Sequence, residues 1–277
     1  MLDSFIYEDH HGRRFVGLDN GVYLNYSDLR DYSWNYEVIN NKISRFYRSV
    51  TGRKIPLMVK CDSEEKAVEV LNRIHELAET DIEACLPGKI WSNGYYTKGF
   101  ITASKKADYL ITKQLCRLEL TLTSDDPAWY SEKTYVFTGE SGTETGADSG
   151  FDNPYDYDYD YGAFFRGQTI SAEGGFGDCA FRLKIYGAAS SPSVVIAGHK
   201  YAVNGTVGAG ETLLIDSLDK TITLTTTSGD KVNWFDKRSR EDYIFQPIPK
   251  GQDSVAWPGD FGFDLTVIEK RSEPKWI

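Results

Sequence analysis

A chain of 277 residues, 40% apolar and 14% aromatic, is long enough for two hydrophobic cores and rich in the Tyr, Phe and Trp that suit strands. Its net charge of -10 is local, because residues 132–162 carry 1 Lys or Arg against 8 Asp or Glu, while 1–131 carry 17 against 19 and 163–277 carry 13 against 14. Near-neutral flanks argue against gripping nucleic-acid phosphates by counterion release, and no apolar run has the length of a signal peptide or a membrane span, so folding in a reducing cytoplasm is expected.

In chain order, Arg14 to Leu18 and Val22 to Tyr26 flank Asp19-Asn20-Gly21, and Asn-Gly predicts a hairpin because both residues tolerate positive φ. Tyr32 to Val38 alternates Tyr32, Trp34, Tyr36 and Val38 on one face, and Ile55 to Lys60 alternates Ile55, Leu57 and Val59, so both read as strands. Between Val38 and Cys61 there is no acid, yet Lys42, Arg45, Arg48, Arg53 and Lys54 occur. Such a segment is either a solvated strand face or a surface that meets an acidic neighbour.

Asp62 with Glu65 three residues on is a capping signature, and Ala67, Val70, Leu71, Ile74, Leu77 and Ala78 follow at helical spacing. Pro87-Gly88 should close that helix. Lys89 to Tyr96 and Phe100 to Ser104 then predict strand, turn and strand around Gly94 and Lys98-Gly99. Cys116, Leu118, Leu120 and Leu122 point inward from the next strand, which Asp125-Asp126-Pro127 ends, and Trp129 and Tyr130 follow as an anchor.

The two halves meet at an acidic seam. Residues 139–150, GESGTETGADSG, have no apolar period and read as a mobile loop. In 151–162, FDNPYDYDYDYG, Tyr155, Tyr157, Tyr159 and Tyr161 alternate with Asp156, Asp158 and Asp160, so an extended backbone would carry one aromatic and one anionic edge. Beyond it, alternating Phe181, Leu183 and Ile185 precede short runs at Val194 to Gly198, Lys200 to Val203, Thr212 to Asp216, Thr221 to Thr227 and Lys231 to Phe235. Phe245 to Ile248 and the alternating Phe261, Phe263, Leu265 and Val267 complete the series. Short, evenly spaced strands joined by tight turns predict an antiparallel sandwich. The expected architecture is therefore mainly β: an α+β domain with one helix over 1–131 and a β-sandwich over 132–277.

Chemistry is hard to find. Cys61, Cys85, Cys116 and Cys179 lie singly with no CxxC, which suggests neither zinc nor a redox pair, and free buried thiols are expected. His10 and His11 fall in a polar turn, His75 on the helix surface and His199 in a hairpin turn, none with a partner visible in the sequence. Gly139-Glu140-Ser141-Gly142 lacks the spacing of a nucleophile elbow, and Gly205 to Gly210 lacks dinucleotide spacing and a following helix. Asp156, Asp158 and Asp160 copy the first ligands of a calcium loop, but Tyr161 stands where glycine is required and Gly167 at the twelfth position. No cofactor, metal or catalytic residue is expected. Trp234, Trp257 and Trp276 read as core aromatics before sugar platforms.

The strand at Asp31 to Val38 (DYSWNYEV), GKIWSNGYYTKGFITAS at Gly88 to Ser104 and DDPAWY ending at Tyr130 resemble the distal tail protein of long, non-contractile-tailed bacteriophages. The Tyr-Asp ladder, the hairpins from Pro192 to Asp216, NWFDKRS at Asn233 to Ser239 and EKRSEPKW at Glu269 to Trp276 carry the resemblance through the second half. It implies a non-enzymatic homohexameric ring at the virion tail tip, built by the N-terminal domain, with a galectin-like C-terminal sandwich projecting outward. The implied partners are further copies of itself, the tail tube protein, the tail-associated hub and receptor-binding or baseplate proteins. DNA would pass through a lumen that does not bind it, and the host would be Gram-positive. Some relatives carry an inserted carbohydrate-binding module, and no insertion of that length exists here. A head-to-tail ring needs two unlike complementary patches, and the acid-free segment, as an arm laid across a neighbour's sheet edge, is the candidate for one. Arg45, Arg48 and Arg53 are then expected at or near the intersubunit contact. The alternative from another class is a carbohydrate-binding module, or a host-receptor-binding protein, on the same sandwich.

Overall fold

The computed structural model describes residues 5–25, 27–109, 114–139, 166–172 and 177–276. The Tyr-Asp ladder, the calcium-like triplet and Ser141 therefore lie outside the described residues. The chain divides into two units, Met1–Ser131 with Lys270–Ile277, and Glu132–Glu269. The last stretch, read from sequence as part of the second half, goes with the first.

The first unit holds β1 (Ile6–Glu8), β2 (Arg14–Val16), β3 (Val22–Leu24), β4 (Asn35–Ile39), β5 (Lys42–Tyr47), β6 (Thr51–Lys60), α1 (Glu64–Ala84), β7 (Gly88–Ser92), β8 (Tyr95–Tyr109) and β9 (Leu115–Ser124), and the boundary falls within β10 (Trp129–Phe137). Strand β8 belongs to two sheets. Its first part pairs with β7, which continues to β1 and β2; its later part pairs with β9, which continues to β6 and β3. Alternation explains the shared core, since Ile55, Leu57 and Val59 of β6 and Leu118, Leu120 and Leu122 of β9 are all buried on one face. Helix α1 closes that core with Ala67, Val70, Ile74, Leu77 and Ala78, the stripe its spacing predicts.

Three local expectations give way here. Asn20-Gly21 does not close a hairpin: Leu18–Asn20 form a 3-10 turn, β2 pairs with β1, and β3 pairs with β6. Gly21 (φ 70°) sits where a Cβ would lie 2.2 Å from the Lys60 carbonyl oxygen, so the turn carries the chain from one ladder to the other. Lys98-Gly99 is not a turn either. Gly99 lies inside β8, where a Cβ would come within 2.8 Å of the Thr123 carbonyl oxygen; the missing side chain serves close backbone approach. The helix cap is Ser63, whose Oγ accepts from the Lys66 amide at 3.2 Å, one residue beyond Asp62.

The second unit holds the rest of β10, then β11 (Arg166–Ala172), β12 (Ala180–Tyr186), β13 (Ala189–Ser190), β14 (Ser193–Ile196), β15 (His199–Ala202), β16 (Thr206–Val207), β17 (Thr212–Asp216), β18 (Thr221–Thr225), β19 (Lys231–Asn233), β20 (Gly251–Trp257) and β21 (Phe263–Arg271), the last reaching the boundary. One antiparallel sheet runs β19-β18-β17-β12-β21-β10 and the other β11-β20-β14-β15, with β13 and β16 as a small pair. Phe181, Leu183, Leu213 and Leu265 of the first meet Val194, Tyr201, Val255 and Trp257 of the second in one core, which makes the unit a sandwich. Its aromatic centre is tight: Phe137 stacks on Phe263 at 4.5 Å, and the Trp257 indole N–H donates to the Phe261 carbonyl at 3.1 Å.

Phe245 to Ile248 is not a strand. Phe245 and Ile248 are buried, but Pro247 and Pro249 flank Ile248 and can donate nothing, so only a single bridge to Cys179 forms. Strands β11 and β20, which pair along their whole length, carry too little apolar alternation to be read in advance.

Candidate subunit-contact surface

Strands β4 and β5 form a two-stranded hairpin of their own. Its loop is Asn40-Asn41, with φ of 51° and 59°; two positive φ values are what a two-residue turn needs to match strand twist, and asparagine tolerates them best after glycine. The register pairs Tyr36 with Phe46, Val38 with Ile43, Glu37 with Arg45 and Ile39 with Lys42, with an irregularity after Glu37. One face therefore carries Tyr36, Val38, Ile43 and Phe46, all apolar, and the other carries Glu37, Arg45, Ile39 and Lys42.

Neither face is covered by the described residues. Tyr36 is 59% exposed, Val38 55%, Ile43 54% and Phe46 58%, and Ile39 on the other face reaches 60%. These belong to the largest concentration of exposed apolar side chains among the described residues, which Tyr32, Trp34, Tyr47 and Val50 extend at the hairpin's root. Contiguous apolar surface of this kind marks an interaction site.

The three arginines singled out from sequence do not share one environment. Arg45 is exposed on the charged face of the hairpin. Arg48 is half-buried at its root, where its guanidinium lies 4.2 Å from the Trp34 ring centre and donates to the Ser272 hydroxyl at 2.6 Å. Arg53 is 3% exposed on β6 and donates to the Pro127 carbonyl at 2.9 Å. Burial, with the neighbouring positive Arg48 adding to it, brings the Arg53 pKa down to about 10 against the pull of Asp31. Arg48 and Arg53 also line a cavity of about 260 Å³ with Asp28, Asp31 and Tyr32. Arg45 alone faces outward; the other two brace the segment from which the hairpin springs.

Close by, Asp126 accepts from the Tyr130 hydroxyl and from Lys270 Nζ at 2.6 Å. Burial acts to raise its pKa, but the bonds from Lys270 and Tyr130 outweigh it and hold the carboxyl below its usual range.

The remaining sequence candidates lie in separate places. His10, read as partnerless, places Nδ1 2.7 Å from Asp81 Oδ1, and its amide donates to the same oxygen at 2.8 Å. Asp81 is fully buried in the last turn of α1 and also accepts from Tyr7. The pairing joins residues 71 apart in sequence, which local spacing could not reveal. Cys61, Cys116 and Cys179 are buried, whereas Cys85 is exposed at the left-handed cap of α1, against expectation. Trp257 is a core residue and Trp234 packs on the core, but Trp276 is 75% exposed beneath the Arg30 guanidinium, 4.5 Å from the ring centre. In the second unit, a polar groove of about 590 Å³ is lined by Ser193, Lys200, Asn204, Asp236, Arg238 and Glu241 among others, and Arg238 lies 4.0 Å over the exposed Phe235 ring.

No family model and no curated protein matches the sequence. Among solved structures, the chain is similar to the SPP1 Dit protein, described as a paradigm of hub adsorption apparatus in Gram-positive-infecting phages, with a TM-score of 0.56, 11% identity and coverage of 98% of this chain and 99% of that one. It is also similar to a chain of the phage P2 baseplate in its activated conformation, with Ca and again with Sr. The TM-scores there are 0.58 and 0.59, at 12% identity, over 99% of this chain and 100% of those chains. The likeness is one of fold, and it runs through both units: the chain has the fold of a phage distal tail protein.

Proposed function

We propose that this chain is a structural, non-enzymatic subunit of a bacteriophage tail tip: a homohexameric ring that joins the tail tube to the tail-associated hub and carries receptor-binding or baseplate proteins. The observation that carries the proposal is the β4–β5 hairpin, whose apolar face and charged face are both open. A two-stranded hairpin alone is marginal in water, and this one has no core of its own, so burial against another surface is what would hold it firmly. An arm that reaches outward and an acceptor elsewhere on the same subunit form the heterologous contact that closes rings. The fold shared with a phage hub protein and a phage baseplate chain along nearly the full length supports placing that ring in a tail tip. Arg45 meets the neighbour directly, and Arg48 and Arg53 lie at the root of the contact and fix the direction in which the arm leaves. The chain assembles in the host cytoplasm and needs no cofactor; DNA crosses the lumen without being held, in keeping with the near-neutral first half.

Light scattering on the purified chain tests this. Six 31.3 kDa subunits give a particle of about 190 kDa. Tyr36→Ser combined with Phe46→Ser should leave a folded 31.3 kDa species by circular dichroism and no ring. A chain that stays monomeric at high concentration while hydrolysing a saccharide would overturn the proposal.

A second reading has one observation in its favour. The polar groove of the second unit, with the exposed Phe235 under its Arg238, has the mixture of hydroxyl, amide and charged groups next to aromatic surface that suits a saccharide. A glycan array with the full chain discriminates: binding abolished by Asn204→Ala with Arg238→Ala would make the second unit a receptor-binding module as well.

A further inference from the structure

Two cations of the first unit are left short of acceptors around one cavity. Arg53 is 3% exposed, and its guanidinium spends only Nη2, on the Pro127 carbonyl; Nε and Nη1 are buried with no partner. Arg48 spends Nη2 on the Ser272 hydroxyl and its flat face on Trp34, and its Nη1 is likewise buried with no partner. Both residues line the cavity of about 260 Å³ at the root of the β4–β5 hairpin. Buried N–H groups of a cation are costly to leave without an acceptor, so three of them around one hollow mark a place made for acceptor oxygens.

The chain's own carboxylates do not take that place. Asp28 and Asp31 line the same cavity, yet Asp28 is half-buried and Asp31 exposed, and neither bonds to the open nitrogens. Burial and then Arg48 bring the Arg53 pKa down to about 10 although Asp31 pulls the other way. The lining is thus polarised, with unpaired N–H groups in its buried part and acid in its exposed part. A water molecule brings no charge to the guanidiniums, and a phosphate dianion would hold its second charge against Asp28 and Asp31. A singly charged oxyanion suits both ends. We propose that this cavity is a binding site for one carboxylate group, which accepts hydrogen bonds from Arg53 and from Arg48 Nη1. The carboxylate belongs either to a small organic acid or to an acidic side chain of a second copy of this chain. Because Arg48 also stacks on Trp34, an occupied site stiffens the root from which the hairpin leaves.

Acetate is the probe, titrated at neutral pH with chloride holding the ionic strength constant, and the thermal midpoint is read for the full chain and for the Tyr36→Ser, Phe46→Ser chain. Binding to the folded state raises the midpoint in a saturable way. Arg53→Met, placed in either chain, should weaken acetate by about tenfold or more. Asp31→Asn carries the opposite sign: it removes an exposed carboxylate and none of the donors, so it should keep the fold and tighten acetate severalfold. Inorganic phosphate should raise the midpoint less than acetate does. Stabilisation of both chains assigns the site to a free carboxylate; stabilisation of the Tyr36→Ser, Phe46→Ser chain alone means that a neighbour's side chain already fills it in the wild type. No saturable rise in either chain, an equal rise with Arg53→Met, or Asp31→Asn binding no tighter would overturn the site. The ring itself is judged separately, by light scattering.

Discussion

The charge of Arg53 marks it in the sequence, and its place in the structure changes what that charge does. A guanidinium that is 3% exposed and bonded to a backbone carbonyl positions the chain around Pro127. Two of its nitrogens, Nε and Nη1, have no hydrogen-bond partner, so Arg53→Met should cost less than about 1 kcal/mol or even stabilise, whereas Arg53→Ala should cost about 2 kcal/mol through the hollow it leaves; urea unfolding of the two variants measures the difference. Gly88 is a sharper case. A Cβ there would lie 2.3 Å from Asp81 Oδ2 and 2.4 Å from Tyr7 Oη, inside a buried network, and Gly88→Ala is expected to cost about 1–3 kcal/mol in the same assay. Asp126 sets a pH dependence. Its folded pKa is depressed, so the unfolded chain takes up that proton first as pH falls. The stabilisation is complete above the ordinary carboxylate value of about 4 and is lost as pH drops through the lower folded value. Asp126→Asn should therefore flatten the acid side of the stability curve, measured by denaturant midpoints between about pH 5 and pH 2.

At the scale of elements, α1 and the hairpin obey opposite logic. Helix α1 is fixed by burial of one stripe and by a cap, so Ser63→Ala should lower stability by about 1 kcal/mol with assembly otherwise unchanged. The hairpin is fixed by its Asn-Asn turn and by cross-strand pairs, with none of the described residues covering either face. Substituting its exposed apolar residues should lower the stability of the monomer by no more than about 0.5 kcal/mol each, while the proposed ring should be lost with the same changes. That separation of stability from assembly is the signature of a side chain kept for a partner. Strand β8 shows a third logic, in which one long strand serves two sheets and Gly99 makes the crossing possible.

For the whole molecule, the return of the chain end to the first unit matters most. Lys270 reaches Asp126, Ser272 meets Arg48 at 2.6 Å, and Trp276 lies under Arg30. Removing residues 272–277 should raise hydrogen exchange in the first unit, at β6 and the segment around Pro127, and leave exchange in the core of the second unit unchanged, because the contacts of this stretch are with the first. Mass spectrometry of exchanged peptides reads this directly. Loss of protection confined to the second unit would contradict it.

Periodicity by itself determined a good deal: the buried faces of β6, β9, β12 and β21, the stripe and length of α1, and the short-strand character of the second half were all legible, because a half-buried strand or helix must write its period into its own residues. The acid-free run was legible as a surface with an unusual composition, but the exposure of Tyr36, Val38, Ile43 and Phe46 was not, because an alternating strand reads as one that buries its apolar face. Local signals failed where the answer depended on a distant strand. Asn20-Gly21 makes a turn, but which ladders β2 and β3 enter was decided by β1 and β6; Gly99 looked like a turn because the Thr123 carbonyl that crowds it lies in another strand. The same holds for His10, whose partner is 71 residues away, and for the arginines, of which only the tertiary structure could say that Arg45 faces solvent while Arg53 is enclosed. Sequence fixes what each segment prefers to bury; packing alone decides against what, and so which charges are left outside for a neighbour.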